Sequence, residues 1–263
     1  MRDTQHRARK RFGQNFLHDQ NIIQRITAAI SPQEGEHLIE IGPGKGAMTQ
    51  SVLEYIERMD VVELDRDLIP ILTDRFADQI TIHNTDVLKF DFCQARHNDQ
   101  PLRVIGNLPY NISTPILFHL MEQLACIKDM HFMLQKEVVE RMAATPGNKD
   151  YGRLSIMLQY FCRVEKLFLV PPGAFNPPPK VDSAIVRLIP HEQPPVELES
   201  SETLSRLVKQ AFSQRRKTLR NTLKGLLNDA DFEACDVDAS LRPEQLSLEQ
   251  FARLANRYTE PHQ

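Results

Sequence analysis

The first 190 residues alternate apolar stripes of helical period with short β-branched runs, a pattern that predicts a sheet whose strands are linked by covering helices. Ile22, Ile23, Ile26 and Ile30 recur at helical spacing and predict a first amphipathic helix over 21–30. The apolar run at 37–41 ends in Gly42-Pro43-Gly44-Lys45-Gly46 and precedes a predicted helix with Val52, Ile56 and Met59 on one face. Residues 60–65 and 80–84 read as the second and third strands. Val104 and Ile105 start a fourth, which must leave its sheet by Pro109 because proline has no N–H for a ladder. Ser113 or Thr114 caps the next helix, with Ile116, Leu117, Leu120 and Leu124 facing inward. Strands at 130–134, 163–170 and 181–188 bring the count to seven, and helices are expected at 136–142 and 154–161.

Beyond residue 190 the pattern changes. Pro194-Pro195 marks a linker over 191–200, and stripes at 203–212, 218–227 and 248–258 predict short helices with a small core of their own. The expected organisation is a basic arm at 1–11, a seven-stranded, mostly parallel, Rossmann-like α/β domain at 12–190, and a helical domain at 201–263.

A chain of 263 residues, 41% hydrophobic, can bury one sizeable core and a second small one. Its net charge of -3 excludes a polycation, so any nucleic-acid contact must come from local clusters. Two exist. Arg2, Arg7, Arg9, Lys10 and Arg11 crowd the first residues, and Arg215, Arg216 and Lys217 are joined by Arg220 and Lys224; each reads either as a phosphate contact or as a solvated surface. The four cysteines show no metal-ligand spacing, so no metal is expected, and they read mostly as small buried apolar residues in a reducing compartment. No apolar run has membrane-spanning length and no secretory leader is evident, which leads to the expectation of a cytoplasmic protein.

Candidate chemistry gathers at strand ends. Glycines at every second position after the first strand let a backbone approach a nucleotide-like cofactor. Glu63 follows about twenty residues later, where α/β folds place an acid for ribose hydroxyls, and Asp86 ends the third strand as a candidate acceptor for an adenine amino group. Any one acid also reads as a solvated turn; Gly42, Glu63 and Asp86 in order favour a cofactor edge.

The fourth strand then presents the Asn107 amide, the carbonyl at Pro109 and the Tyr110 ring. That set suits a flat base held by its exocyclic amine. Such a nitrogen is a poor nucleophile because its lone pair is delocalised, and two acceptors taking its two hydrogens favour a pyramidal, reactive geometry without a strong base. Phe175 lies in a proline-dense stretch, 171–180, read as a rigid loop that presents the ring to stack a base opposite Tyr110, worth roughly 1–3 kcal/mol. The alternative for Phe175 is a plug at the core edge.

Phe12-Gly13-Gln14-Asn15-Phe16-Leu17, Glu40-Ile41-Gly42-Pro43-Gly44-Lys45-Gly46, Asn107-Leu108-Pro109-Tyr110-Asn111-Ile112-Ser113, the run from Phe175 to Ser183 and Gln214-Arg215-Arg216-Lys217-Thr218-Leu219-Arg220 occur in the order found in the ribosomal RNA adenine dimethyltransferases, and essentially the whole chain resembles that family, its bacterial small-subunit branch above all. The resemblance implies an S-adenosylmethionine-dependent enzyme that N6,N6-dimethylates two adjacent adenosines in a hairpin near the 3′ end of 16S rRNA, within an assembling small subunit, as a monomer. By position it implies that Asn15, Leu17, Gly42, Glu63, Asp86 and Asn107 bind the cofactor. Tyr110 and Phe175 become a stacking pair, Asn107 and Pro109 hold the target amine, and Arg215, Arg216, Lys217 and Arg220 contact RNA. The alternatives are a large-subunit rRNA adenine methylase, which shares the Asn107 to Tyr110 logic, a non-catalytic RNA-binding assembly factor, and a nicotinamide dehydrogenase, which would want a different glycine spacing.

Overall fold

The computed structural model describes residues 14–97, 100–214 and 216–258. Two compact units are present, one comprising Met1–Val139 with Glu165–Pro190 and the other Glu140–Val164 with His191–Gln263. This division departs from the linear one expected: residues 140–164 go with the C-terminal part, because the apolar side of their helix packs on helices that follow residue 200.

The first unit is built on a seven-stranded sheet. In chain order the elements up to residue 190 are β1 (Phe16–Leu17), α1 (Gln20–Ile30), β2 (His37–Ile41), α2 (Ala47–Val52), β3 (Met59–Val62), α3 (Ile69–Phe76), β4 (Ile80–His83), α4 (Phe92–Ala95), β5 (Leu102–Asn107), α5 (Ser113–Met121), β6 (Ile127–Gln135), α6 (Lys136–Met142), α7 (Arg153–Phe161), β7 (Cys162–Val170), β8 (Phe175–Asn176) and β9 (Ser183–Pro190), of which α7 lies in the second unit and α6 and β7 each begin in one unit and end in the other. The sheet order is β4-β3-β2-β5-β6-β9-β7. Strands β4 through β6 run parallel, β9 is antiparallel to β6, and β1 pairs with β8 in a separate antiparallel ribbon. A mostly parallel α/β sheet of seven strands is what the pattern predicts.

Every residue of β2 is buried, as expected of a strand covered on both faces. Helix α1 starts where the Asp19 carboxylate accepts the Asn21 and Ile22 N–H groups, at 2.9 and 3.1 Å, and it buries the isoleucine stripe. The chain runs β2, β3, β4 in one direction and then returns to place β5 on the other side of β2. That reversal lies between β2 and β5, where Ile41 faces Gly106. A Cβ on Gly106 would stand 2.7 Å from the Ile41 carbonyl oxygen, so only glycine lets the two strand ends come this close.

Several expected elements change. Helix α2 stops at Val52, and Met59, read as part of its stripe, opens β3 opposite Ile80. Helical spacing of Ile56 and Met59 arose because both enter the same core from a turn and a strand. Ser113 lies inside α5 rather than capping it.

Cys93 and Cys126, read as separate apolar fillers, form a disulfide, whereas Cys162 and Cys235 are buried thiols. Sequence separation hides such a pairing, which the packing of α4 against the turn before β6 creates.

In the second unit, α7 packs with α8 (Ser201–Ala211) and α11 (Leu248–Arg257) around Leu204, Leu207, Val208, Phe251 and Leu254. The single helix expected at 218–227 is only α9 (Leu219–Thr222), since Gly225 turns the chain at a φ of 88°. A short α10 (Asp229–Ala234) follows, closed by a reciprocal cap between Asn228 and Asp231.

Candidate active site

The strand reversal opens a cavity of about 370 Å³ along the carboxyl edge of β2, β3, β4 and β5, lined among others by Asn15, Leu17, Gly42, Glu63, Asp86, Asn107, Pro109 and Tyr110. Eight residues picked out from separate stretches of sequence thus share one space. A reversal of strand order is where α/β sheets leave room for a ligand.

The glycine turn is tied down on both sides. Gly42 N–H donates to the Val62 carbonyl at 2.9 Å, and Gly46 has a φ of 79° with a phantom Cβ only 2.3 Å from the Phe76 ring. Glu63 sits just past β3. Its carboxylate accepts the Asp65 N–H at 2.8 Å and the Gly44 N–H at 3.4 Å, so it braces the turn while lining the cavity. Burial raises its pKa, against the pull of those two N–H groups. Asp86 caps the turn that follows β4, accepting the Leu88 N–H at 3.0 Å. Exposed Leu64 and Leu88 flank the cavity there, an apolar surface that a planar purine would cover.

Glu40 also lines the cavity, and the sequence reading missed it as a functional candidate. Only 2% exposed, it accepts the Thr49 hydroxyl at 2.6 Å, and burial pushes its pKa up to about 7, with the charge of Glu63 adding and the Thr49 bond opposing. An acid inside an otherwise apolar strand was the available signal.

Asn107 ends β5. Its Nδ2 donates to the Asn15 carbonyl at 3.1 Å, and no described residue donates to its Oδ1. The amide is therefore oriented with its acceptor unspent. The Pro109 carbonyl, expected as the second acceptor, already takes the Ile112 N–H at 3.1 Å, whereas the Leu108 carbonyl has no donor among the described residues. Tyr110 is half-buried; its hydroxyl lies 2.6 Å from Oγ of the fully buried Ser183, which fixes the ring, and burial raises its pKa.

Phe175 corrects the expectation. It pairs with Leu17 across the β1 and β8 ribbon, is 2% exposed, and belongs to the core cluster with Leu17, Val170 and Ala174, outside the cavity lining. Ribbon pairing turns its ring toward the sheet, the plug arrangement, instead of presenting it. Arg216, Lys217 and Arg220 are exposed in the second unit, with Arg220 paired to Asp229 at 3.0 Å. Arg215 and the arm at 1–11 lie outside the described residues.

These residues suit an adenosylated sulfonium cofactor. A Cβ at Gly44 would meet the Phe16 ring at 3.1 Å, so the turn is a cradle that admits backbone only, with a buried acid at one side and leucines at the other. Among the described residues no helix is long and apolar enough to cross a membrane.

Comparison with known proteins agrees with this geometry. A family model described as ribosomal RNA adenine dimethylase matches residues 5–260. The chain is 62% identical over 261 residues to a protein of Pseudomonas putida named ribosomal RNA small subunit methyltransferase A, covering 98% of each. It is 62% identical over 258 residues to the protein of that name from Pseudomonas aeruginosa, covering 97% of this chain and 96% of the relative. Among solved structures it resembles a dimethyladenosine transferase from Plasmodium falciparum, with a TM-score of 0.78, 27% identity and coverage of 91% and 95%. It also resembles the 23S rRNA methyltransferase ErmE, with a TM-score of 0.70, 25% identity and coverage of 93% and 99%.

Proposed function

The chain belongs to the ribosomal RNA adenine dimethylase family, and on that premise we propose that it acts on 16S rRNA in the assembling small subunit, converting two adjacent adenosines of a 3′ hairpin to the N6,N6-dimethyl form. It is an S-adenosylmethionine-dependent rRNA adenine dimethyltransferase. The carrying observation is the Asn107 amide, pinned by Asn15 beside the glycine turn, with no donor to its oxygen among the described residues.

The cofactor supplies an already activated methyl group. Gly42, Glu63 and Asp86, with Asn15 and Leu17 in the same lining, would hold it. Asn107 Oδ1 accepts one hydrogen of the target amine. The Leu108 carbonyl, next in the chain and without a donor among the described residues, is favoured over that of Pro109 for the other. Both acceptors pull the nitrogen lone pair out of conjugation and aim it, so alignment and fixed dipoles replace a base. Tyr110, clamped by Ser183, offers its ring as the stacking face. The proton leaves to water after transfer. Arg216, Lys217 and Arg220, with Arg215, supply backbone contacts in the second unit. Acting on ribosomal RNA, it is read as a cytoplasmic monomer.

Small-subunit rRNA is preferred over large-subunit rRNA because the relatives bearing a small-subunit name are far more similar in sequence than the large-subunit structure. Incubation of purified protein and labelled S-adenosylmethionine with unmethylated small and large subunits, followed by nucleoside mass spectrometry, tests this. Dimethyladenosine in small-subunit RNA is the expected result; label confined to large-subunit RNA, or none, rejects it.

A further inference from the structure

Four polar side chains converge beside β2, β3 and β4, and the cofactor cavity uses none of them. Asp60 of β3 pairs with Ile39 of β2 and with Thr81 of β4, two residues from His37 and His83. A strand repeats its facing every second residue, so all three side chains emerge on one face of the sheet. Nε2 of His37 lies 3.1 Å from Asp60 Oδ2, and Nε2 of His83 lies 3.4 Å from the same atom. His97, two residues past α4, brings a third Nε2 to 3.8 Å from that oxygen.

Hydrogen bonding alone does not account for this crowding. One carboxylate oxygen has about two lone-pair directions, yet three imidazole nitrogens approach it. The buried His83 Nε2 finds no partner in hydrogen-bond geometry among the described residues. Burial alone would keep Asp60 protonated, but the His37 and His83 imidazoles overcome it and hold the carboxyl well below its ordinary range. The result is a buried, ionised acid ringed by nitrogen donors. Ligand atoms about 2.0–2.2 Å from a tetrahedral zinc ion stand roughly 3.3–3.6 Å apart, close to the separations seen here. The ligating atoms of His37, Asp60 and His97 all lie within 4.8 Å of one another.

We propose that His37, Asp60, His83 and His97 form a structural site for zinc or a like divalent ion, which clamps β2, β3 and β4 to the segment after α4. Strand register sets three of the ligands. The fourth is exposed: the His97 ring stacks on His37 at 4.6 Å and 10°, so it rotates to aim its lone pair at the ion. Its backbone is already docked, with the His97 N–H 3.4 Å from His37 Nδ1. Ligation through Nε2 moves the His37 hydrogen to Nδ1 and gives up that long contact. Imidazole donors suit zinc, and four protein ligands leave no open position, so the ion stabilises the fold and takes no part in methyl transfer. The expectation of no metal rested on cysteine spacing, whereas ligands at 37, 60, 83 and 97 carry no short motif.

Untagged full-length protein, stripped of metal by a chelator, is titrated with zinc by calorimetry and thermal unfolding, beside His97→Ala and His83→Ala. One ion should bind per chain. At free zinc about a hundredfold above Kd, Tm should rise by roughly 5–10 °C, and by less near pH 5.5, where protons compete for the imidazoles. His97→Ala, at an exposed position, should unfold like the unsubstituted protein without metal, yet bind zinc more weakly by roughly a hundredfold or more, beyond the cost of losing a merely supporting partner. His83→Ala should weaken binding by a similar factor. Cobalt(II) in place of zinc should show the strong visible absorption of a four-coordinate ion. No zinc-dependent rise, or an equal rise in either variant, overturns the site; so does the weak spectrum of six-coordinate cobalt, which marks an adventitious ion only. Methyl transfer by metal-stripped protein well below Tm should be unchanged, so failure of the metal site leaves the methyltransferase assignment standing.

Discussion

The Asn107 side chain donates to the Asn15 carbonyl across 3.1 Å, linking the end of β5 to the segment just before β1. One hydrogen bond thereby decides which way the amide faces. Were the amide reversed, its NH₂ would point at the target amine and repel it.

Replacing Asn107 with alanine should lower kcat by at least a hundredfold, about what loss of one preorganised acceptor costs, while RNA affinity stays within a few-fold. Single-turnover methylation and filter binding measure the two. Parallel loss of both would make the residue structural.

Phe175 is expected to act through the core. Phe175→Leu should lower stability by about 1 kcal/mol, which shifts Tm by only a few degrees in a chain of this size, and leave KM for subunits unchanged. If KM rises severalfold at constant Tm, the ring leaves the core to stack the substrate.

Glu40 makes stability depend on pH. Its folded-state pKa of about 7 exceeds the ordinary 4.5, so the folded protein holds a proton that the unfolded chain has released. The stabilisation is complete below pH 4.5 and is lost as pH rises through 7, a change of about 3 kcal/mol at 1.36 kcal/mol per unit. Glu40→Gln keeps the Thr49 hydroxyl bonded and should flatten this slope between pH 4.5 and 7, measured by denaturant unfolding at each pH. An unchanged slope would place the titration elsewhere.

Arg216 and Lys217 are exposed in the turn before α9. Changing either to alanine should weaken subunit binding and reduce the salt slope of log K by roughly 1, with little effect on single-turnover methylation at saturation. A lowered saturating rate with an unaltered salt slope would exclude a simple phosphate contact.

Legibility varied with how local the cause is. The glycine turn and the stretch from Asn107 to Tyr110 were readable because each breaks its strand by its own backbone chemistry, proline lacking an N–H and glycine accepting a positive φ. Phe175 was misplaced because its burial follows from pairing with Leu17, far earlier in the chain. Glu40 escaped notice since alternation says only that a residue lies in a strand. What raises its pKa is burial in the middle of the sheet and the nearby charge of Glu63.

On its own the sequence determined the order of strands and helices, the α/β class and the chemical groups available at each strand end, because period, capping and turn preference act within a few residues. Tertiary structure alone decided that β5 returns beside β2, so that the glycine turn meets Asn107, that Asn15 orients that amide, that Cys93 joins Cys126, and that residues 140–164 pack with the C-terminal helices. Each of these depends on which remote apolar faces bury one another, and no stretch of chain carries that information by itself.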